Sequence, residues 1–205
     1  MNSVLRAVRH EDLLLITLEH PSGLPRLERD VLRELGRQTE RLAGSREFVG
    51  AVITGSAQAF CAGAELGDIT ALLGGEALEF AREGQSVMER IERSAKPVIA
   101  AVRGYCMGGG FDLALACRGR IAGGNAVFAH RGAALGLVTG WGGTQRLARL
   151  IGAGRTTEIL VTGRAIEADE ALAIGLVRAI VGDNEVLRRA MEIARGYAKK
   201  LIPKI

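Results

Sequence analysis

Pro97-Val98-Ile99-Ala100-Ala101-Val102-Arg103-Gly104-Tyr105-Cys106-Met107-Gly108-Gly109-Gly110-Phe111-Asp112 is the stretch on which the fold turns. Residues 97–102 are a short apolar run and read as a buried strand. Gly104 and the triplet Gly108-Gly109-Gly110 follow as a turn, and residues 112–117 read as helical. An earlier stretch has the same grammar: residues 49–54 are a buried strand, and a loop over 55–65 carries Phe60-Cys61-Ala62-Gly63-Ala64-Glu65. Small residues at such turns let a ligand approach the main chain, and a helix start leaves N–H groups unpaired. Two such donors aimed at one point form an oxyanion hole, each donor contributing about 3–4 kcal/mol to a developing oxyanion. Either stretch alone is equally compatible with an ordinary strand–helix turn. The triplet is not a G-x-G-x-x-G motif, and no acidic residue stands where a dinucleotide site would need one.

Working outward, residues 4–8 and 13–18 read as strands joined by a charged turn at His10-Glu11-Asp12. Helical periodicity begins at Pro25, with Leu27, Val31, Leu32, Leu35 and Leu42 on one side. A helical stretch ends near Ser94 and is interrupted around Gly74-Gly75. Short extended pieces are expected at 120–122 and 126–130. Helices are expected at 143–151, 156–161 and 167–174, a strand at 176–181 and a closing helix at 185–201. Strands alternating with helices predict parallel βαβ units, and residues 1–205 carry no evident linker or repeat, so one domain is expected.

Hydrophobic residues make up 48% of the 205 and aromatics 4%, so the core is aliphatic. The net charge of +4 is spread among interleaved Lys, Arg, Glu and Asp without a basic stripe, which argues against a nucleic-acid partner. Cys61, Cys106 and Cys117 lack C-x-x-C spacing and sit among apolar residues, as free thiols of a reducing compartment do. Residues 1–10 hold no apolar signal segment, and no run is long enough for a membrane span, so a cytoplasmic protein without a membrane partner is expected. No metal site is expected.

Taken in order, the segments resemble the crotonase (enoyl-coenzyme A hydratase/isomerase) superfamily. The resemblance rests on Phe60-Cys61-Ala62-Gly63-Ala64-Glu65-Leu66, on residues 96–117 through the triple glycine, on Gly142-Gly143-Thr144-Gln145-Arg146-Leu147, and on Thr162-Gly163-Arg164 with residues 168–177 behind it. It implies an α/β crotonase (ClpP/crotonase-like) fold of repeated ββα units. Family members continue with a further C-terminal helical segment, so that segment is expected to be short or missing here. The implied substrate is an acyl-coenzyme A of fatty acid metabolism. Coenzyme A enters as part of the substrate and no separate cofactor is implied. A homotrimer or dimer of trimers is the implied assembly.

Carried over by position, the resemblance makes the oxyanion hole from the amides of Ala64 and Gly109. It places Leu24, Ala62, Leu66 and Gly108 on the substrate track, with Gly132, Gly140 and Trp141 about the acyl pocket. Ser22 stands where a coenzyme-contacting lysine often does. Hydratases of the family hold water between two glutamates; this chain has Asp112 at the first position and Gly132 at the second. Hydration needs one group to take a proton from water and another to deliver one to carbon, and a missing acid/base removes about 10²–10⁴ in rate. His130 lies two residues before Gly132, so in an extended segment both face one way. It could supply a base or proton donor, or merely hydrogen-bond within the fold. Arg131 could offset Asp112 or be solvated, and Trp141 could wall the pocket or pack in the core. Asp112 is also a dipole-favoured residue at a helix start. The preferred reading is a hydratase or isomerase using enolate chemistry. The alternatives are a coenzyme-binding protein with impaired catalysis and an assembly subunit. Restoring a glutamate at 132 is expected to raise hydration.

Overall fold

The computed structural model describes residues 2–65 and 75–201. Strands β1 (Val4–His10) and β2 (Leu13–Glu19) pair antiparallel, and Glu11 takes a positive φ of 55° in the turn between them. Helix α1 (Arg29–Gly44) then leads to β3 (Gly50–Thr54), which joins β2 in parallel. β3 is followed by a short strand of a second sheet, β4 (Ala59–Cys61).

This pairing of a long strand with a short one recurs. After helix α2 (Gly75–Glu92), β5 (Val98–Val102) lies beside β3, and β6 (Tyr105–Met107) beside β4. After helix α3 (Gly109–Ala116), β7 (Gly119–Gly123) lies beside β5, and β8 (Val127–Ala129) beside β6. Helices α4 (Gly143–Ile151) and α5 (Ala153–Thr162) follow, then β9 (Ile166–Glu167), α6 (Ala168–Ala173), β10 (Ala179–Val181) and α7 (Val186–Leu201). The large sheet runs β1-β2-β3-β5-β7-β10 and the small one β4-β6-β8-β9.

Every residue of β3, β5 and β7 is buried, as central parallel strands covered on both faces require. The pleat sorts their side chains. Val52, Ile99, Ala101 and Ile121 pack with Val186, Ala190 and Ala194 of α7, while Ile53, Ala100 and Val102 pack with α1, α2 and α3. α3 is therefore wedged into the interior: all its residues from Gly110 to Ala116 are buried.

Three expectations need correction. The helix expected from Pro25 begins at Arg29, because residues 25–28 are used to tie down a loop: Ala62 N donates to Pro25 O and Leu27 N to Gly63 O, both at 2.8 Å. The glycine-bearing stretches contain the strands β4 and β6, too short for periodicity to announce. The last strand starts at Ala179, since the amides of Leu176 and Val177 both donate to Ala171 O and close the end of α6.

Candidate active site

Parallel pairing of β4 with β6 brings the two glycine turns side by side, and the chain there leaves no room for side chains. A β-carbon built on Gly110 would lie 2.6 Å from that of Cys61, and one on Gly63 would lie 2.9 Å from Met107 O. The consequence is close approach of two main-chain nitrogens. A β-carbon on Gly63 would lie 3.4 Å from Gly109 N, and one on Gly109 would lie 3.3 Å from Ala64 N. Gly109 opens α3, so its amide has no intrahelical acceptor. Ala64 is held by the parallel bridge of its loop to Leu27. Among the described residues no acceptor reaches the amide of Ala64 or of Gly109.

Asp112 stands in the first turn of the same helix and is 1% exposed. Thr139 Oγ1 donates to its Oδ2. Its Oδ1 faces His130 Nε2 at 3.3 Å, in a geometry that gives neither atom a hydrogen bond. His130, 4% exposed, ends the run of β8 and stacks on Phe111 with ring centroids 4.9 Å apart. Gly143 closes the other side: a β-carbon there would meet Asp112 Oδ1, lie 3.0 Å from His130 Nε2 and 2.9 Å from Thr139 Cγ2.

Trp141 is buried over Gly109 and meets Phe80 edge-on at 5.4 Å. Its carbonyl accepts from Arg146 Nη1 at 2.7 Å, and the carbonyl of Gly140 from Gln85 Nε2 at 2.8 Å, so α2 and α4 both clamp this segment. Gly108 turns the chain at φ 50°, its amide donating to Ala129 O. Ala62 and Leu24 are half-buried at the loop edges, and Leu66 lies outside the described residues. Ser22, at the position often held by lysine, accepts from Leu24 N at 3.4 Å and sits 2.6 Å from His20 Nδ1.

The expectation that His130 and Gly132 share a face fails. Extended geometry stops at His130, and Arg131–Leu135 is a short 3-10 helix closed by Leu137 N donating to Gly132 O. Arg131 is exposed and does not offset Asp112. The sequence reading also missed Thr139 and Gly143. Neither carries a motif of its own, although glycine opening a helix is a weak sign of crowding. A cavity of about 710 Å³ between α2 and α4, walled by Glu89, Glu92, Arg146 and Arg149, meets the site only through Thr139, Gly140 and Trp141. Its charged walls do not suit an acyl chain.

The three thiols are buried and free. Burial pushes Cys61 and Cys117 up to about 12 and Cys106 well above the ordinary thiol value, so none is a nucleophile near neutrality.

Strand pairs repeated between two sheets, with α3 threaded inward from the second glycine turn, define a protein of the crotonase fold. Sequence comparison agrees: the enoyl-CoA hydratase/isomerase family profile matches residues 9–204, and the chain belongs to that family. It is 38% identical to a short-chain-enoyl-CoA hydratase of Clostridium acetobutylicum over 181 residues, covering 88% of this chain and 69% of that one. It is 40% identical to a crotonyl-CoA hydratase of Syntrophomonas wolfei, covering 91% and 72%. The crystal structure of an enoyl-CoA hydratase from Bacillus anthracis superposes with a TM-score of 0.88 at 34% identity, covering 97% and 77%. Among the described residues no helix is long and apolar enough to cross a membrane.

Proposed function

We propose that the protein acts on short acyl-coenzyme A thioesters by enolate chemistry, as a hydratase or a double-bond isomerase. The observation that carries this is the approach of Ala64 N and Gly109 N to one small spot, with the carboxylate of Asp112 one helical turn further along α3. The thioester carbonyl oxygen would accept from both amides, whose donors are fixed before charge develops. Asp112 would act as the base, taking a proton from water or from carbon and returning it to carbon. Leu24, Ala62, Leu66 and Gly108 would follow the coenzyme, and Gly140 with Trp141 the acyl group. Coenzyme A arrives as part of the substrate. A cytoplasmic trimer or dimer of trimers belongs to the same proposal, and sedimentation of the purified protein reads the assembly.

The test has two arms. Acetyl- and crotonyl-coenzyme A should raise the melting temperature; no shift with either rejects the thioester site. Hydration of crotonyl-coenzyme A, or conversion of its 3-butenoyl isomer, should be lost in Asp112→Ala. Thioester binding without any turnover would favour the second reading, an acyl-coenzyme A binding protein, which Gly132 supports by leaving no second carboxylate.

A further inference from the structure

We propose that His130 is the proton-holding partner of Asp112, so that the two side chains together do what a second carboxylate would otherwise do. The inference rests on the function just proposed. Its structural basis is separate: two ionisable side chains, each more than nine-tenths buried, point their unpartnered atoms at each other across 3.3 Å.

Each member of the pair is held in that attitude by independent contacts. Thr139 donates to the far oxygen of Asp112 and so turns Oδ1 toward the imidazole. The His130 ring lies against Phe111, one residue before Asp112 on α3, with an interplanar angle of 26°. Phe111 packs in turn on Phe128 of β8, the strand that delivers His130. Gly143 lets α4 approach close enough to exclude other partners from both atoms. A histidine serving only to fill the core would leave Nε2 against apolar atoms or bonded to a carbonyl. Here it faces the one carboxylate of the candidate site. Other ionisable groups nearby do not compete: Cys106 on β6 is held neutral by burial, Arg131 is in solvent, and Arg146 on α4 is paired with Glu92.

The proton balance closes without an outside reagent. Ionised Asp112 and neutral His130 begin the cycle. Asp112 accepts the proton released when water adds at the β-carbon, or the proton leaving carbon during a double-bond shift. The electron pair moves onto the thioester oxygen. The proton is shared across the gap as a carboxylate–imidazolium pair, and it returns to carbon as the enolate collapses. One proton enters and the same number leaves. His130 never needs to touch the substrate, so it is a positioning residue acting through Asp112.

The experiment uses the full chain, with His130→Gln, His130→Asn and Asp112→Asn beside the unaltered protein. Crotonyl-coenzyme A hydration and 3-butenoyl-coenzyme A isomerisation are measured together with acetyl-coenzyme A binding. A downfield imidazole proton is sought by NMR. The proposal expects kcat to fall by about 10²-fold in both His130 variants, with thioester affinity within about twofold. It expects the downfield resonance in the unaltered protein and its loss in Asp112→Asn and in both His130 variants. Turnover within twofold in a folded His130 variant overturns it. So does an equal loss of kcat and affinity, which marks a structural role, or a resonance that survives in Asp112→Asn. If the unaltered protein turns over neither thioester, the proposed function fails and takes the proton role with it. If it turns them over and the His130 variants match it, only the present inference fails.

Discussion

The indole of Trp141 lies where a side chain at Gly109 would have to go: Cε3 would be 2.8 Å from a β-carbon there, and Cζ3 closer still. The ring also packs against Gly84 of α2 and Phe80, so it has no open direction in which to retreat. Glycine at 109 therefore serves both the helix start and the wall behind it. Gly109→Ala is expected to cost about 1–3 kcal/mol through overpacking. It should also lower thioester turnover by about 10²–10³, because the amide at 109 is displaced from its aim. Melting curves and crotonyl-coenzyme A kinetics on the one variant check both. An alanine that left turnover intact would remove the amide of residue 109 from the chemistry.

Gly132 invites a simple repair, a glutamate in place of the missing carboxylate, but the structure predicts that the repair fails. A β-carbon at 132 would sit 2.8 Å from Leu137 O, and that carbonyl belongs to the turn closed by Leu137 N and Gly132 O. Backbone cannot yield as a side-chain tip does. Gly132→Glu should lose about 1–3 kcal/mol and melt lower by about 2–4 °C for each of them. Hydration of crotonyl-coenzyme A should not rise. A variant that melts normally and hydrates faster would show that the 131–138 turn can open at little cost.

How far the sequence could be read follows from where information is local. Val98–Val102 and Gly143–Ile151 announce themselves, because burial on both faces and a one-sided apolar stripe leave periodic signatures. Ala59–Cys61 and Tyr105–Met107 do not; three residues cannot show a period, and their pairing with each other spans more than forty positions. The glycine turns were visible as places where backbone could be approached, yet what approaches them is other backbone, which only the fold supplies. Thr139 and Asp112 are 27 residues apart and meet because α3 and the segment before α4 share the interior. Small residues at 132–134 were read as a continuation of strand and instead form a 3-10 turn, since no neighbouring strand is there to accept their amides.

Arg120 anchors the far end of the helix that carries Asp112. It is 8% exposed and donates to Leu176 O at 2.6 Å, Cys117 O at 2.9 Å and Ala114 O at 3.2 Å. Burial away from any carboxylate partner lowers its pKa, yet the guanidinium caps the negative end of α3 with a positive charge. Arg120→Met keeps much of the volume and removes every donor. The three carbonyls would then be buried without partners, at a cost of about 3 kcal/mol or more. Chemical denaturation should show this as a lower midpoint with an unchanged slope. A variant as stable as the original would mean that water reaches those carbonyls.

The buried thiols give the protein an alkaline weakness whose direction is fixed by linkage. Cys61 and Cys117 ionise in the folded chain only near pH 12, because desolvation penalises the thiolate, against an ordinary value of 9.0. Above pH 9 the unfolded chain therefore holds fewer protons than the folded one, and unfolding releases them. Stability from this source is intact below pH 9 and falls as pH rises from there toward 12. The slope is about 1.4 kcal/mol per pH unit for each thiol that stays protonated when folded and ionises when unfolded. Melting curves between pH 8 and 10.5 should show the decline, and Cys117→Ala should reduce its slope by about one thiol's share. In the same range a disulfide reagent should leave all three cysteines untouched until denaturant is added. Rapid labelling of the native protein at pH 8 would show that one of these sulfurs is exposed by a motion the folded structure does not display.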